Sequence, residues 1–205
     1  MSGARQVPRE IPLRRARQGA RGEKLWHGTE PGDARPCHSG NRLRFIGFTG
    51  HKDPDIHLAM LDEADAHGFR FDAVQLPLNV LDHHFQSFEA KVLPILISKG
   101  IAPLGMKALC GGDILASGKV AAAECLRYAL SLPASVIITG CDTVEVLDQA
   151  IRMGKGFIPL SAHQTTALLA RTRELAKGGA LEQFKTGTKY DGTVKNPHWL
   201  ERAEV

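Results

Sequence analysis

The sequence of 205 residues lacks the patterns that mark several large classes of protein. No stretch approaches the roughly 18 consecutive apolar residues of a transmembrane helix, and the arginine-rich start is not followed by the apolar segment of a secretory signal. The four cysteines form no C-x-x-C pair, so neither a zinc site nor a disulfide framework is indicated. The signatures of serine hydrolases, P-loop proteins and Rossmann folds are also absent. We therefore expect a cytoplasmic protein without a metal site or a membrane partner.

Charge is distributed unevenly along the chain. Residues 1–44 contain ten Lys and Arg against four Asp and Glu, whereas the remainder contains sixteen against eighteen. The first forty residues are also rich in Gly and Pro, and they bury too little apolar surface to offset the entropy of ordering. We predict a disordered basic arm over residues 1–41. A basic arm can bind nucleic acid through counterion release, but this one lacks interleaved aromatic residues and a known binding motif, so we expect no nucleic-acid partner.

From residue 42 onward, apolar runs typical of strands alternate with segments of helical periodicity. The four apolar runs cover residues 43–49, 71–78, 101–109 and 134–139. Helical patterns follow them over residues 54–68, 85–99, 119–132 and 143–153, with a further helix over 161–177. The polar stretch 178–205 is predicted to be a C-terminal tail on the surface.

This alternation predicts a parallel sheet joined by right-handed crossovers. Because the runs are apolar at nearly every position, we expect both faces of the sheet to be covered. Four strand–helix units are half of the eight that close a (β/α)8 TIM barrel. The predicted fold class is therefore α/β, with four parallel strands and their helices forming half of such a barrel over residues 42–177.

Polar residues follow the predicted strands at the edge where ligands bind in such folds. Thr49 and Gly50 end the first strand, Gln75 lies in the second, Lys107 ends the third and Thr143 follows the fourth. Amides and hydroxyls beside a glycine that allows close approach suit a polar ligand such as a dinucleotide. A structural explanation is equally open, because a glutamine in an apolar run can hydrogen-bond neighbouring backbone groups.

Lys107 also allows a different chemistry. An amine in a barrel interior can form a Schiff base with a carbonyl substrate, which would make the protein a lyase. The same ammonium can instead form an ion pair with Asp113 or Asp142.

Five segments together resemble successive blocks of the aldo-keto reductase family. They are RFIGFTGHKDP (44–54), DAVQLPLN (72–79), GIAPLGMKAL (100–109), ECLRYALSLP (124–133) and SVIITGCDTVEVLDQA (135–150), and LSAHQTTALLARTRELA follows them. Their order and spacing are similar to strands five to eight of the family's barrel, over about residues 42–200. The resemblance implies the C-terminal half of a (β/α)8 barrel, and reduction of carbonyl compounds with NADPH or NADH.

The resemblance also implies which residues contact the cofactor. Gln75 matches the glutamine that contacts the nicotinamide carboxamide, and Thr49 keeps the hydroxyl of the serine that binds the same group. Lys107 lies where a serine often meets the diphosphate, and a lysine suits that charge. Leu109 agrees with the family, and Thr143 offers a hydroxyl contact.

Other positions depart from the family. Gly50 replaces an asparagine, Met106 stands where an aromatic ring often stacks on the nicotinamide, and Gln149-Ala150 replaces an adenine-side Glu-Asn pair. Asp142 replaces a cation or a serine. A carboxylate repels a 2′-phosphate and can accept from a ribose hydroxyl, which favours NADH over NADPH.

The family's catalytic Asp, Tyr, Lys and His precede the segments that match, and no stretch before residue 42 corresponds to them. The two tyrosines, Tyr128 and Tyr190, lie in a predicted helix and in the tail. We therefore assign no catalytic residue and predict a truncated reductase whose activity on a carbonyl substrate is impaired. The alternative is a non-catalytic module that retains dinucleotide affinity, and open strand edges would favour a homodimer or a complementing half-barrel.

Overall fold

The structure, a computed structural model, describes residues 44–188. The chain separates into two compact units, Met1–Ile46 and Gly47–Val205. Only residues 44–46 of the first unit are described, so the account below concerns the second. The predicted arm, residues 1–41, and most of the predicted tail fall outside the described residues.

Four parallel strands form one sheet, and their order in the sheet is their order along the chain. They are β1 (Gly47–Thr49), β2 (Ala73–Pro77), β3 (Ala102–Met106) and β4 (Val136–Ile137). Each strand is shorter than the apolar run that predicted it. Consecutive parallel neighbours are the arrangement of successive strands in a (β/α)8 barrel. The predicted α/β class with four parallel strands is therefore confirmed.

Helices follow each of these strands. They are α1 (Pro54–Ala66), α2 (Phe88–Lys91), α3 (Leu93–Ser98), α4 (Ala122–Ser131), α5 (Val144–Lys155), α6 (Ala162–Thr172) and α7 (Gln183–Thr186). Four of these helices have an N-cap residue whose side chain accepts a hydrogen bond from a backbone N–H of the first turn. These residues are Asp53, Ser87, Thr143 and Ser161. No helix within residues 44–188 is both long and apolar enough to cross a membrane.

The single helix predicted over residues 85–99 is wrong. A 3-10 turn at Asp82–His84 precedes it, and Ser87 then caps α2, so the helix starts later than the apolar pattern does. Pro94 lies in the first turn of α3. Because proline has no N–H to donate to the preceding turn, the helix divides there into α2 and α3.

One core cluster lies between the sheet and the helices that follow β1 and β2. Val74 and Leu76 of β2 are fully buried there against Phe88, Val92 and Leu96. On the opposite face Thr49 is exposed, Gln75 is half-buried, and Val136 and Ile138 are 52% and 41% exposed. The expectation that both faces are covered is therefore wrong for the described residues.

The prediction that the chain after residue 177 lies on the surface is also wrong for the part that is described. Phe184 is 4% exposed and joins a core cluster with Val80 and Leu81. Lys185 and Glu182 are buried with it, because each has a partner of opposite charge. The polar composition of this stretch does not reveal which charged residues form buried pairs, so the sequence does not predict α7.

Candidate functional site

The carboxyl ends of the four strands lie along one edge of the sheet, because all of the strands are parallel. Thr49 and Gln75 are direct partners in the register of β1 and β2. Both alternate with residues that face the helix core, Phe48 and Val74, so their side chains point to the opposite, more open face. The two residues that the resemblance assigns to a carboxamide are thus neighbours at the end of the sheet.

His57 supports this edge from behind, a role that the sequence did not indicate. Its ring is buried, contacts the rings of Phe48 and Phe88, and donates from Nε2 to the backbone oxygen of Gln75 at 3.2 Å. Burial lowers the pKa of His57, so the ring is neutral at pH 7. The backbone of Gln75 is therefore held by a donor on α1.

The glycine at position 50 has a packing reason. A Cβ atom there would lie 2.7 Å from Cε1 of His57, which is closer than real contacts allow. Gly50 also donates from its backbone nitrogen to the backbone oxygen of Gln75 at 3.4 Å. An asparagine, which the resemblance would place at this position, would clash with the His57 ring as it is placed here.

Lys107 directly follows β3 and adopts a left-handed backbone conformation, with φ of 58°. This conformation is uncommon for residues other than glycine. Its ammonium lies 5.7 Å from the centroid of the Phe184 ring, a distance at which a cation is attracted to an aromatic face. A positive charge is therefore present at the same edge as Thr49 and Gln75.

The segment around α7 reaches this edge from the C-terminal part of the chain. His51 donates from Nδ1 to the backbone oxygen of Phe184 at 3.2 Å, and Lys52 donates to the backbone oxygen of Gly187 at 2.7 Å. The residues just after β1 thus hold α7 beside the strand ends. Phe184 belongs to the candidate site, although its isolated position in a polar stretch made it look like a surface residue.

A buried charged cluster anchors α7 from the other side. Lys185 donates to Asp82 Oδ1 at 2.7 Å, to the backbone oxygen of Phe85 at 2.7 Å and to Glu182 Oε2 at 3.1 Å. Asn79 donates to the second oxygen of Glu182 at 3.1 Å. Burial raises the pKa of both Asp82 and Glu182, while Lys185 opposes that effect. This cluster ties the loop after β2 to the C-terminal segment.

The two remaining predicted site residues have structural contacts. Leu109 is half-buried and packs against core residues that include Ala108 and Ala129. Thr143 is exposed and caps α5, with its hydroxyl oxygen accepting from the backbone nitrogen of Val146 at 3.3 Å. The Thr143 hydroxyl also donates to the Glu145 carboxylate. The pKa of that carboxyl group is lowered by its own backbone N–H and by this hydrogen bond. Leu109 contributes packing. Asp142, next to Thr143, is exposed.

Tyr128 is the one tyrosine within residues 44–188, and it lies away from the open face of the sheet. It is in α4, is 2% exposed and donates its hydroxyl to Glu89 Oε2 at 2.6 Å. Burial and the Glu89 carboxylate raise its pKa well above the usual range. Tyr190 lies outside the described residues. Within residues 44–188, no group of three or more His, Cys, Asp or Glu side chains is placed to hold a metal ion.

Comparison with known proteins gives similarity to solved structures alone. No family model matches the sequence, and no curated protein matches it. The chain is similar to the holo form of the aldo-keto reductase AKR11C1 from Bacillus halodurans, with 11% identity and a TM-score of 0.42 over 64% of this chain and 62% of that chain. The apo form gives 12% identity and a TM-score of 0.42 over 64% of this chain and 63% of that chain. This chain therefore spans less than two thirds of the length of either structure.

Proposed function

We propose that this chain is an aldo-keto reductase-like polypeptide that binds a nicotinamide dinucleotide at the carboxyl edge of its sheet. The observation that carries the proposal is the register pair of Thr49 and Gln75 on the open face. A hydroxyl beside a primary amide offers both donors and acceptors, which is what a carboxamide needs. The residues present therefore fit the group that the resemblance implies.

Lys107 supports a second contact at the same edge. An ammonium suits a diphosphate, because a charge-assisted hydrogen bond to a phosphate oxygen is stronger than a neutral one. The contact with Phe184 holds the lysine at the edge of the sheet. We assign Lys107 to the diphosphate, and Thr143 to a further hydroxyl contact. The exposed carboxylate of Asp142 favours NADH over NADPH.

Carbonyl reduction by this chain is proposed to be impaired. A bound reduced nicotinamide would supply a hydride, but the carbonyl oxygen also needs a proton, and general acid catalysis commonly contributes about 10²–10⁴-fold to a rate. The Tyr128 hydroxyl is committed to Glu89 in the helix layer. Within residues 44–188, no tyrosine is therefore available as an acid on the open face, and a small carbonyl substrate would be reduced slowly.

A binding titration tests the cofactor assignment. NADH, NADPH and ADP-ribose, which lacks nicotinamide, are titrated calorimetrically into the wild-type chain and into the Thr49→Val/Gln75→Leu variant. We expect the variant to bind NADH about 30-fold more weakly, because it loses two hydrogen bonds that are worth about 1 kcal/mol each. Its affinity for ADP-ribose should stay the same. Thr166→Val, at an exposed position of α6, is the matched control.

Two results would contradict the proposal. Failure of the wild-type chain to bind either dinucleotide at millimolar concentration removes the cofactor assignment. Equal losses for NADH and ADP-ribose in the double variant show that Thr49 and Gln75 do not contact the nicotinamide. NADH oxidation with simple aldehydes at the rate of complete aldo-keto reductases would separately overturn the predicted impairment.

A further inference from the structure

The sheet has two outer edges that are unpaired within residues 44–188. The strand order leaves one side of β1 and one side of β4 without a neighbouring strand in this part of the chain. Unpaired backbone N–H and C=O groups along such an edge can pair with another strand. Both edges also have exposed apolar side chains beside them, which distinguishes them from the charged edges of ordinary monomeric proteins.

The surface beside β4 is a helix face that no segment within residues 44–188 covers. No residue of α5 is buried, although Val144, Leu147 and Ile151 recur at helical spacing and form one stripe. They are 69%, 45% and 43% exposed. In a strand–helix–strand unit, the helix packs against its own strand and the next one. The stripe on α5 is therefore the surface that a strand following β4 in the sheet, with its helix, would cover.

The surface beside β1 is also apolar and exposed, and it lies at the opposite edge of the sheet from α5. Ile56 and Met60 lie one turn apart on α1 and are 59% and 44% exposed. Together with Phe48, Thr49, His57 and the residues just after β1, they line a depression of about 140 Å³ that adjoins the candidate site. Within residues 44–188, β1 and α1 have no preceding helix beside them, and α5 is followed by no further strand of the sheet.

We propose that a second copy of this chain covers both surfaces. The outer edge of β4 in each copy pairs with the outer edge of β1 in the other. The α5 stripe of Val144, Leu147 and Ile151 then packs on Phe48, Ile56 and Met60 of the second copy. The result is an eight-stranded parallel sheet built from two identical halves.

Strand direction and strand number both select this arrangement. A twofold axis that runs along the strand direction leaves that direction unchanged. The β4 strand of one copy therefore runs parallel to β1 of the other, and parallel pairing is also what β1 and β4 form with their neighbours in one chain. Eight tilted parallel strands are the number that closes a barrel. Closure leaves no free edge and repeats one contact twice.

Contact between like edges fits the structure less well. Pairing β1 with β1 across a twofold axis is antiparallel, and it would leave the α5 stripe of both copies exposed. The α5 stripe therefore fits the surface beside β1, and neither surface fits a second copy of itself. A second copy supplies both complements at once.

Charge variants test this arrangement. One variant carries Ile56→Lys and Met60→Lys, and the other carries Leu147→Glu and Ile151→Glu. Wild-type protein is expected to be a dimer by size-exclusion chromatography with light scattering. Each variant alone should dissociate, with a dissociation constant at least about 100-fold weaker, because unpaired charges are then buried in both contacts. Ile95→Lys, on α3 and away from both edges, should remain dimeric.

The equimolar mixture of the two variants gives the decisive readout. In a mixed dimer the introduced lysines meet the introduced glutamates at one contact, and the other contact has wild-type surfaces, so the dimer should return. Wild-type protein that is monomeric at all concentrations overturns the proposal and indicates that residues of the same chain cover the two surfaces. Variants of α5 that remain dimeric, or a mixture of variants with wild-type circular dichroism that stays monomeric, overturn it as well.

Discussion

Lys185 has a fully buried side chain whose ammonium is satisfied by two carboxylates and one backbone oxygen. Taking charges out of water is costly, and only good geometry and additional hydrogen bonds offset that cost. Asp82 has such bonds, since it also accepts from the backbone nitrogens of Phe88 and Glu89. The cluster therefore depends on each of its members.

Removing the cation should be strongly destabilising. Lys185→Met keeps the length of the side chain but leaves Asp82 and Glu182 buried without a positive partner. We expect a loss of about 3–5 kcal/mol in the free energy of unfolding, measured by urea denaturation. Lys177→Met is the control, because that lysine forms an exposed pair with Glu174 and should change stability by less than about 1 kcal/mol. Similar losses in the two variants would contradict the role given to the cluster.

Single residues also show what sequence reasoning reached at the candidate site. Thr49, Gln75 and Lys107 could be predicted to lie at one edge, because parallel strands align their carboxyl ends. His57 and Phe184 could not, since their roles depend on which backbone oxygen or cation lies against them in three dimensions. Hydrogen bonds between residues distant in the chain leave no periodic pattern in the sequence.

At the scale of elements, the turn between α6 and α7 depends on two adjacent glycines. Gly178 and Gly179 both have positive φ, of 62° and 65°. A Cβ atom at Gly178 would meet nothing within 4 Å, whereas one at Gly179 would lie 2.4 Å from Cε1 of Phe85. The two positions therefore share a backbone requirement but differ in packing.

This difference can be measured directly. Gly178→Ala should cost about 1–2 kcal/mol, the penalty of a left-handed conformation for a residue with a Cβ atom. Gly179→Ala should cost about 1–3 kcal/mol more, because the ring of Phe85 must move within the packed segment. Chemical denaturation of both variants gives the comparison. Equal destabilisation would show that Phe85 yields without cost.

The order and type of most helices and strands could be predicted from the sequence, whereas the residues at which they begin and end could not. Apolar runs separated by helical periodicity indicated every strand, because a short apolar run between two helical segments is typical of a strand in an α/β fold. The start of α2, by contrast, depends on which of several polar residues caps the helix. Ser87 caps α2, because its hydroxyl oxygen accepts from the backbone nitrogen of Ala90 at 3.0 Å. Composition alone does not distinguish this serine from the neighbouring polar residues.

For the whole molecule, association should make stability depend on concentration. A folded dimer that unfolds to separate chains gains stability by mass action. For a tenfold rise in protein concentration, its unfolding free energy should increase by about 1.4 kcal/mol. We expect the thermal midpoint of wild-type protein to rise accordingly, and that of the Leu147→Glu/Ile151→Glu variant to stay constant. A midpoint that is constant for wild-type protein would contradict association through these surfaces.

The contact between Asp82 and Lys185 also bears on how the chain reaches its fold during synthesis. The two residues are 103 positions apart, so a growing chain carries Asp82, α2 and α3 long before the lysine emerges from the ribosome. Until then the carboxyl group of Asp82 has no cation and favours water over the interior. We therefore expect the loop after β2 to stay solvated until Lys185, one of the last described residues, has been translated.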